Sequence, residues 1–391
     1  MSRNPQSSLH ALLADRVFDG ERFHEGAAVL VADRRIRGVV PVGEVPPDAA
    51  PVRLPTGALL APGFIDLQVN GGGGVLLNDA PTPEGMRAIA RSHRRFGTTG
   101  CLPTLITDTR TTIARAIAAA QTACGRDGVL GLHLEGPFIN PARTGVHRPD
   151  LVTRPEEADI DLLHGLAAAG RSLVTLAPEC VPAGFVRRLT SAGIRVAAGH
   201  SEATVADMAH AVAEGLTGVT HLFNAMPPLA GRAPGIVGAT LAEPRLIAGL
   251  IVDGIHVDPV SVRAAFAAKG AAGLALVTDA MPTVGSEVTS FALMGRRVTL
   301  AQGRLTVEDG TLGGAHLDMA SAVRNAATLA GVPLGDALRA ASLTPACFLG
   351  LEHERGALRA GAIADLVALS PSLEVIATWI AGVAEWAGRE P

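Results

Sequence analysis

The feature that most constrains the fold of this chain is a regular alternation of short apolar runs with alanine-rich segments of helical periodicity. Residues 204–216 are typical of the second kind, with Val205, Met208, Val212 and Leu216 on one helical face. The runs are nearly all apolar, as strands buried on both faces must be. The eight runs are residues 64–69, 99–106, 129–135, 173–177, 195–200, 218–222, 246–252 and 274–278. Eight strand–helix units of this spacing predict an α/β fold, a (β/α)8 barrel of the TIM type.

Both ends of the chain depart from this alternation. Residues 1–58 and 356–391 contain short strand-like segments separated by turn signals, and they predict one small β-sandwich-like domain built from both ends. The barrel is expected over residues 59–355. A β-rich segment near residues 290–307 predicts a hairpin inserted after the eighth strand, and helices between residues 317 and 349 are expected to close the barrel.

Composition and charge argue against nucleic acid and membranes as partners. The 391-residue chain has a net charge of −4, 3% aromatic residues and no tyrosine, whereas nucleic-acid binding needs a basic face and usually stacking rings. The first twenty residues have no apolar run long enough for a signal peptide, and no later run reaches membrane length. The four cysteines are widely spaced, which predicts reduced thiols and a cytoplasmic location.

Polar residues suited to metal binding or acid–base chemistry stand at the ends of four runs. These residues are Glu135, His200, His221 and Asp279. The active site of such a barrel lies at the C-terminal ends of its strands, so all four are expected on one rim. One carboxylate and two imidazoles make a three-ligand site with an open position, as catalytic zinc requires. Zinc lowers the pKa of water from about 15.7 to about 7, and Asp279 is then free to act as a base.

A single histidine at a strand end is more often a hydrogen-bonded structural residue than a ligand. The joint occurrence of these residues at strand ends favours the metal site, because random placement would scatter them onto helices. His133 lies two residues before Glu135 and points to the same side of the strand, so we interpret it as a residue that supports the ligands. The histidines expected at the surface are His10, His24, His93, His164, His210, His316 and His353.

Eight segments spread over nearly the whole chain resemble the N-acetylglucosamine-6-phosphate deacetylases of the amidohydrolase superfamily. They are "PGFIDLQVNGGGGV", "GLHLEGPFIN", "GHSEAT", "THLFNAMPPLAGRAPG", "VDGIHVDP", "VTDAMP", "DGTLGG" and "GAIADLVAL". The fourth segment is the most specific, and the last marks only the superfamily. The resemblance implies a barrel with a β-domain and hydrolysis of the acetamide of N-acetyl-D-glucosamine 6-phosphate, in amino sugar catabolism and cell-wall sugar recycling.

The same resemblance implies roles for residues outside the four strand ends. It makes His147 the residue that polarises the acetamide carbonyl, and His256 and Arg232 the phosphate contacts. Arg232 reaches the neighbouring subunit's site in that family, which implies a homodimer. Val146 stands where a polar residue is common. The implied substrate-contacting residues are Val146, His147, Asn224, Ala225, Arg232, His256, Leu312, Gly313 and Gly314.

The first run bears on the number of metal ions. Gln68 and Asn70 stand where some family members have two histidines and can hold two metals. Neutral amides are weak zinc ligands. Relatives with two metals often use a carboxylated lysine to bridge them, but the only lysine of this chain, Lys269, lies at a predicted helix end and not on a strand. The sequence therefore predicts one divalent ion per subunit, most simply Zn²⁺, with Gln68 and Asn70 as hydrogen-bonding groups of the rim. Glycines 71–74 predict a sharp turn.

Several alternatives remain open at this point. The native ion can be zinc, iron or another divalent metal, and a second weak ion can bind near Gln68 and Asn70. The substrate can be N-acetylgalactosamine 6-phosphate or a cyclic amide, because a phosphate contact does not distinguish the epimers. A metal-free sugar-phosphate binding protein is a third possibility, which the intact set of Glu135, His200 and His221 with Asp279 argues against.

Overall fold

The computed structural model describes residues 9–388, so residues 1–8 of the predicted N-terminal β-domain and residues 389–391 lie outside it. The strands of the described residues are β1 (His10–Phe18), β2 (Phe23–Ala32), β3 (Arg35–Pro41), β4 (Ala50–Arg53), β5 (Leu59–Pro62), β6 (Phe64–Val69), β7 (Gly71–Gly72), β8 (Val75–Leu76), β9 (Thr98–Ile106), β10 (His133–Glu135), β11 (Leu173–Leu176), β12 (Arg195–Ala198), β13 (Gly218–Val219), β14 (Ile247–Leu250), β15 (Leu274–Leu276), β16 (Ser290–Leu293), β17 (Arg296–Ala301), β18 (Arg304–Thr306), β19 (Leu366–Leu369), β20 (Val375–Ile380) and β21 (Val383–Trp386).

The helices of the same residues are α1 (Pro83–Arg94), α2 (Arg110–Ala123), α3 (Glu157–His164), α4 (Phe185–Ser191), α5 (Val205–Ala213), α6 (Gly235–Ala242), α7 (Pro259–Lys269), α8 (Met319–Thr328), α9 (Leu334–Ala341) and α10 (Leu343–Leu349). Short 3-10 turns at Pro141–Arg143 and Pro178–Cys180 follow β10 and β11. Among the described residues, no helix combines the length and the apolar character needed to cross a membrane.

Eight parallel strands form the central sheet, in the order β15-β14-β13-β12-β11-β10-β9-β6. Each corresponds to one of the eight predicted runs, and the helices alternate with them along the chain. One apolar core joins the strands to the surrounding helices. The prediction of a (β/α)8 barrel is confirmed.

Several strands end earlier than the apolar runs predicted. β12 ends at Ala198 and β13 at Val219, although the runs extended to residues 200 and 222. The physical reason lies in the backbone. His200, His221 and Asp279 have φ values of 49°, 32° and 51°, in the left-handed region that cannot continue a parallel ladder. These residues therefore leave the strands and turn their side chains into the mouth of the barrel.

The first and last strands meet at a seam made by single contacts rather than a regular ladder. The Asp279 amide donates to the Gln68 carbonyl at 3.0 Å. The carboxylate of Asp66 accepts from the Thr278 hydroxyl at 2.5 Å. Asp66 is fully buried, and burial raises its pKa to about 7 despite this hydrogen bond. Helices α9 and α10 contact β6, and both also contact β15, so they cover the seam as the sequence predicted.

The two chain ends share one sheet beside the barrel, in the order β21-β20-β19-β5-β1-β2-β3, with β4 paired to β1. Strand β5 belongs to this sheet: it runs parallel to β1 and antiparallel to β19, although it lies at the start of the range predicted for the barrel. Apolar residues of this sheet, among them Leu60 of β5, Leu366 of β19 and Trp379 of β20, pack in a core separate from that of the barrel. The domain boundaries at residues 58 and 355 remain a prediction.

The inserted β segment has three antiparallel strands, β16-β17-β18, where a two-stranded hairpin was predicted. Arg304–Thr306 returns along β17 and adds the third strand. Val298 and Leu305 of this sheet pack with Ile106, the last residue of β9, and with Met281, which follows β15 at the barrel mouth. The inserted sheet therefore stands over the same rim as the polar strand ends.

Candidate metal centre and active site

Three buried side chains converge at the C-terminal rim of the barrel. Glu135 is the last residue of β10, and His200 and His221 follow β12 and β13. The Nε2 atoms of His200 and His221 lie 3.1 Å and 2.8 Å from Glu135 Oε1. The two Nε2 atoms are themselves 3.1 Å apart. One ligand atom of each residue falls within 4.8 Å of the others, which is the spacing of a metal site.

The protonation of His200 shows why a cation fits here. Its Nδ1 lies 2.7 Å from the Arg143 carbonyl oxygen, which can only accept, so Nδ1 carries the proton. The Nε2 lone pair of His200 then faces Glu135 and the second imidazole nitrogen. A buried carboxylate beside such a lone pair is stable only with a positive charge between them. Two nitrogens and one oxygen are a donor set of catalytic zinc sites, which leave a further position open.

Electrostatics support the same interpretation. Burial raises the pKa of the Glu135 carboxyl, but hydrogen bonds from His200 and His221, formed when their Nε2 atoms also carry protons, outweigh burial and hold that pKa well below its usual range. Glu135 is therefore an anion. Because the donors that keep it ionised are ring nitrogens able to act as ligands, a divalent ion can replace their protons at the same place.

Asp279 is held by the two amides of the first strand. Gln68 Nε2 donates to Asp279 Oδ1 at 3.1 Å and to Glu135 Oε2 at 3.0 Å. Asn70 Nδ2 donates to the same Asp279 oxygen at 2.6 Å. Both bonds fall on Oδ1, so neither engages Oδ2. Burial, followed by the negative charge of Glu135, raises the pKa of Asp279 to about 6. A carboxylate with a raised pKa and an oxygen outside these bonds is suited to accept a proton.

His147 lies against the metal ligands. Its ring centroid is 4.4 Å from that of His200, and its Nδ1 is 2.7 Å from the hydroxyl oxygen of Thr107. Because Nδ1 is engaged in that contact, Nε2 is the ring nitrogen available to a bound small molecule. Burial, followed by the positive charge of His200, lowers the pKa of His147 to about 3. The imidazole is therefore neutral near pH 7 and can donate one hydrogen bond without carrying a charge.

A cavity of about 340 Å³ opens over these groups. The residues predicted to contact substrate that line it are Val146, His147, Asn224, Ala225, His256, Leu312 and Gly314. Gly313 sits beside this wall, where a Cβ would come within 3.3 Å of Val298. Arg232 is exposed and lies outside the lining of the cavity of its own chain.

His256 is fixed from behind by an acid. Its Nδ1 lies 2.6 Å from Asp253 Oδ2, while Asp253 Oδ1 accepts from the backbone amides of Ile255 and His256 at 2.8 Å each. Burial raises the pKa of the Asp253 carboxyl, but these bonds lower it overall. The ionised carboxylate keeps the proton of His256 on Nδ1 and thereby orients the ring.

Two further histidines are fully buried, His133 in β10 and His93 near the end of α1. His133 is held between the hydroxyls of Thr104 and Thr175, at 3.3 Å and 2.7 Å, below the metal ligands. Burial lowers its pKa to about 4. His93 was expected at the surface, and this was wrong: the ring is fully buried and its Nε2 lies 2.9 Å from the Gly71 carbonyl. A Cβ on Gly72 would come within 2.6 Å of that nitrogen, so the glycine-rich turn makes room for the ring.

Sequence reasoning missed Arg143 and Thr107. Arg143 lines the cavity and provides the carbonyl that orients His200, and Thr107 holds His147. A signal existed for Thr107, because it is a polar residue directly after the apolar run that forms β9. The role of Arg143 rests on its backbone, which carries no sequence signal. Lys269, at the end of α7, donates to the Glu243 carbonyl at 2.7 Å, away from the site.

Comparison with known proteins agrees with this geometry. The model of the amidohydrolase family matches residues 59–384. The N-acetylgalactosamine-6-phosphate deacetylase of Shewanella sp. (strain ANA-3) is 40% identical over 95% of each chain. The N-acetylglucosamine-6-phosphate deacetylase of Homo sapiens is 41% identical over 84% of each. The crystal structure of N-acetylglucosamine-6-phosphate deacetylase from Pasteurella multocida superimposes with a TM-score of 0.93 at 33% identity, covering 97% of this chain and all of that one. The chain therefore belongs to the amidohydrolase family, in the group that contains the N-acetylglucosamine-6-phosphate and N-acetylgalactosamine-6-phosphate deacetylases.

Proposed function

We propose that the protein hydrolyses the acetamide of N-acetyl-D-glucosamine 6-phosphate to D-glucosamine 6-phosphate and acetate, in amino sugar catabolism. The observation that carries this proposal is the placement of Asp279 and His147 on the same cavity as the Glu135, His200 and His221 cluster. The names of the similar proteins support the phosphorylated sugar as substrate. Four free cysteines support a reducing compartment, the cytoplasm.

The proposed site holds one Zn²⁺ per subunit through Glu135, His200 and His221. A divalent ion bound there would lower the pKa of a water molecule and polarise the amide carbonyl. The side-chain nitrogens of Gln68 and Asn70 donate to carboxylates, which supports a single ion, since these amides orient Asp279 and Glu135 instead of binding a second one.

The chain's own residues supply the proton transfers. His147 donates from Nε2 to the acetamide oxygen and stabilises the negative charge that develops there. Asp279 Oδ2 accepts a proton from water as the water oxygen bonds to the carbonyl carbon. As the carbon–nitrogen bond breaks, Asp279 returns that proton to the nitrogen, which leaves as a primary amine. The products are acetate and the amino sugar phosphate, so the atoms balance.

Phosphate recognition is proposed for His256 of one chain and Arg232 of a second copy in a homodimer. Arg232 is exposed, and it stands in a loop where Leu229 is also 54% exposed, as expected of a segment that meets another subunit. A guanidinium binds a phosphate through two parallel hydrogen bonds.

A second substrate is supported by one observation. The Shewanella relative, which matches along 95% of both chains, is an N-acetylgalactosamine-6-phosphate deacetylase. The two substrates differ only in the configuration at C4. Because none of the described contacts identifies the residue that meets the C4 hydroxyl, the epimers must be compared directly.

Acetate release should be measured with both N-acetylhexosamine 6-phosphates and with unphosphorylated N-acetylglucosamine. We expect kcat/KM for N-acetylglucosamine 6-phosphate to exceed that for the unphosphorylated sugar by about 10- to 100-fold or more, the worth of a charged hydrogen bond. A higher value for the galactosamine epimer would establish the second substrate instead. Absence of acetate from all three, with zinc bound, would overturn the proposed function.

Metal content is expected to be about one ion per chain. His200→Ala and His221→Ala should each abolish both tight metal binding and turnover, because two remaining protein ligands do not make a catalytic zinc site. His353→Ala is the matched control, since that side chain is 87% exposed and lies far from the cluster. Elemental analysis showing two tightly bound ions per wild-type chain would contradict the single-ion site.

Asp279→Asn should keep the metal and lower turnover by about 10²- to 10⁴-fold, the usual contribution of a general acid–base group. The amide preserves the size of the side chain but cannot accept the proton. In the wild type a base must be ionised, so turnover should fall as the pH drops below about 6, where Asp279 gains a proton. A bound cation would lower the pKa of Asp279, so the fall in turnover would then occur at lower pH.

The fall in turnover at low pH does not by itself identify the proton acceptor, because the activated water can gain a proton in the same pH range. The paired measurement is metal content together with the single-turnover rate of the Asn variant. Loss of metal would show that Asp279 braces the ion. Full metal with near-normal turnover would remove Asp279 from the mechanism.

Arg232→Ala should weaken kcat/KM for the phosphorylated substrate by about 10- to 100-fold and leave the unphosphorylated sugar nearly unchanged. Arg263→Ala, an exposed arginine on α7, serves as the control for loss of a positive charge. If the site is shared, mixed dimers of Arg232→Ala and Asp279→Asn chains should regain activity at one of their two sites. Equal losses on both sugars would contradict a phosphate role.

A further inference from the structure

Glu179 lies in the 3-10 turn that follows the fourth barrel strand, and its carboxylate collects three hydrogen bonds. Oε1 accepts from Asn140 Nδ2 at 3.0 Å and from the Glu202 backbone amide at 2.6 Å. Oε2 accepts from the Ser201 hydroxyl at 2.7 Å. Neither a metal ligand nor a residue implied by the resemblance is among these donors, so the group belongs to none of the roles described above.

The donors come from two segments that carry functional residues. Asn140 begins the segment that runs to Arg143 and His147, while Ser201 and Glu202 directly follow the ligand His200. Glu179 is therefore bonded to both segments at once. It bridges the strand ends of β10 and β12 from the end of the strand between them.

Further bonds join the same two segments directly. The Asn140 amide donates to the His200 carbonyl at 2.9 Å. His200 Nδ1 donates to the Arg143 carbonyl at 2.7 Å, and Arg143 Nε donates to Glu202 Oε1 at 3.2 Å. We call this set of residues, Asn140, Arg143, Glu179, Ser201 and Glu202, the clasp. It surrounds His200 on the side away from the metal position.

We propose that Glu179 is a positioning residue: through the clasp it fixes the imidazole of His200 and the loop of His147 relative to each other. Glu179 itself touches neither the metal position nor the cavity. Both metal affinity and turnover should then depend on the Glu179 carboxylate. Of these two expectations, only the one about turnover rests on the proposed function.

Two physical considerations favour a positioning role over simple loop stabilisation. His200 has a φ of 49°, a conformation that costs about 1–3 kcal/mol for a residue with a side chain and persists only where its surroundings impose it. The clasp supplies that constraint at His200 itself, whose carbonyl accepts from the Asn140 backbone amide, and at Ser201 and Glu202 directly after the kink. The second consideration is the ring itself: its orientation rests on the carbonyl of Arg143, whose segment Glu179 holds through Asn140.

The chain offers a matched control in Glu214. That carboxylate is buried, whereas Glu179 is half-buried, and it too accepts backbone amides, from Gly184 at 2.6 Å and Arg187 at 3.3 Å. It joins α5 to the start of α4 on the outside of the barrel, away from the cavity. Glu214→Ala therefore removes a bridging carboxylate that lines the same surface cavity as Glu179 but makes none of the hydrogen bonds of the clasp.

The first measurement is zinc affinity by competition with a chelator, which needs no substrate. Glu179→Ala should bind zinc about 10- to 100-fold more weakly than the wild type, the range for loss of a group that supports a metal ligand. Glu179→Gln should recover most of the affinity, because its oxygen can accept from Asn140 and Glu202 and its amide can donate to the Ser201 hydroxyl. Glu214→Ala should keep wild-type affinity even if its thermal unfolding midpoint falls.

The second measurement is amide hydrogen exchange followed by mass spectrometry. Glu179→Ala should speed exchange in residues 140–147 and 200–203 together, whereas Glu214→Ala should speed it only near residues 184–187. If Glu179→Ala does not fold, Ser201→Ala removes one clasp bond and should weaken zinc by about 2- to 10-fold.

Zinc affinity and exchange that are the same in Glu179→Ala and Glu214→Ala, or unchanged zinc affinity in Ser201→Ala, would overturn the proposal. A wild-type protein that binds zinc but releases no acetate would overturn the proposed function alone, because the zinc and exchange measurements would still test the clasp.

Discussion

The burial of the Glu135 carboxylate between two imidazoles is the interaction on which the rest of the site depends. A carboxylate removed from water is costly unless positive charge is placed beside it. Here Glu135 Oε1 faces the Nε2 atoms of His200 and His221, and in the neutral ring of His200 the proton is on the other nitrogen, which donates to a backbone carbonyl. The protein therefore presents a place that a divalent cation would complete, and the cavity, Asp279 and the loops are arranged around it.

The backbone meets this requirement at the points where the strands stop. His200, His221 and Asp279 all adopt left-handed conformations immediately beyond their strands, at a cost of about 1–3 kcal/mol each. The apolar core of strands and helices offsets that cost, since the strands below these residues are held rigidly by packing. The regular, tightly packed strands of the barrel thus provide the rigidity that the strained residues at the rim require.

The pattern of apolar runs was sufficient to predict the barrel and the rim positions of Glu135 and Asp279, because both follow from periodicity and from where each run ends. Contacts between distant segments had no such signal. The entry of β5 into the terminal sheet depends on pairing with β1 and β19, and the burial of His93 depends on space beside Gly72. The orientation of His200 by the carbonyl of Arg143 involves a backbone atom that every residue possesses. Such features arise from tertiary packing and not from residue type.

The seam between the first and last strands has a consequence for the order in which the protein matures. The metal ligands lie close together along the chain, since Glu135 and His221 are 86 positions apart. The contacts of the seam around Asp279 are of much longer range: Asp66 and Thr278 are separated by 212 positions, and Asn70 and Asp279 by 209. Contacts of such long range form late, because the entropy of closing the intervening chain must be overcome first. A nascent chain can thus assemble the three residues that could hold a metal from the middle strands while it still lacks the carboxylate proposed as proton acceptor. Closure of the barrel at this seam is therefore the step that completes the proposed active site.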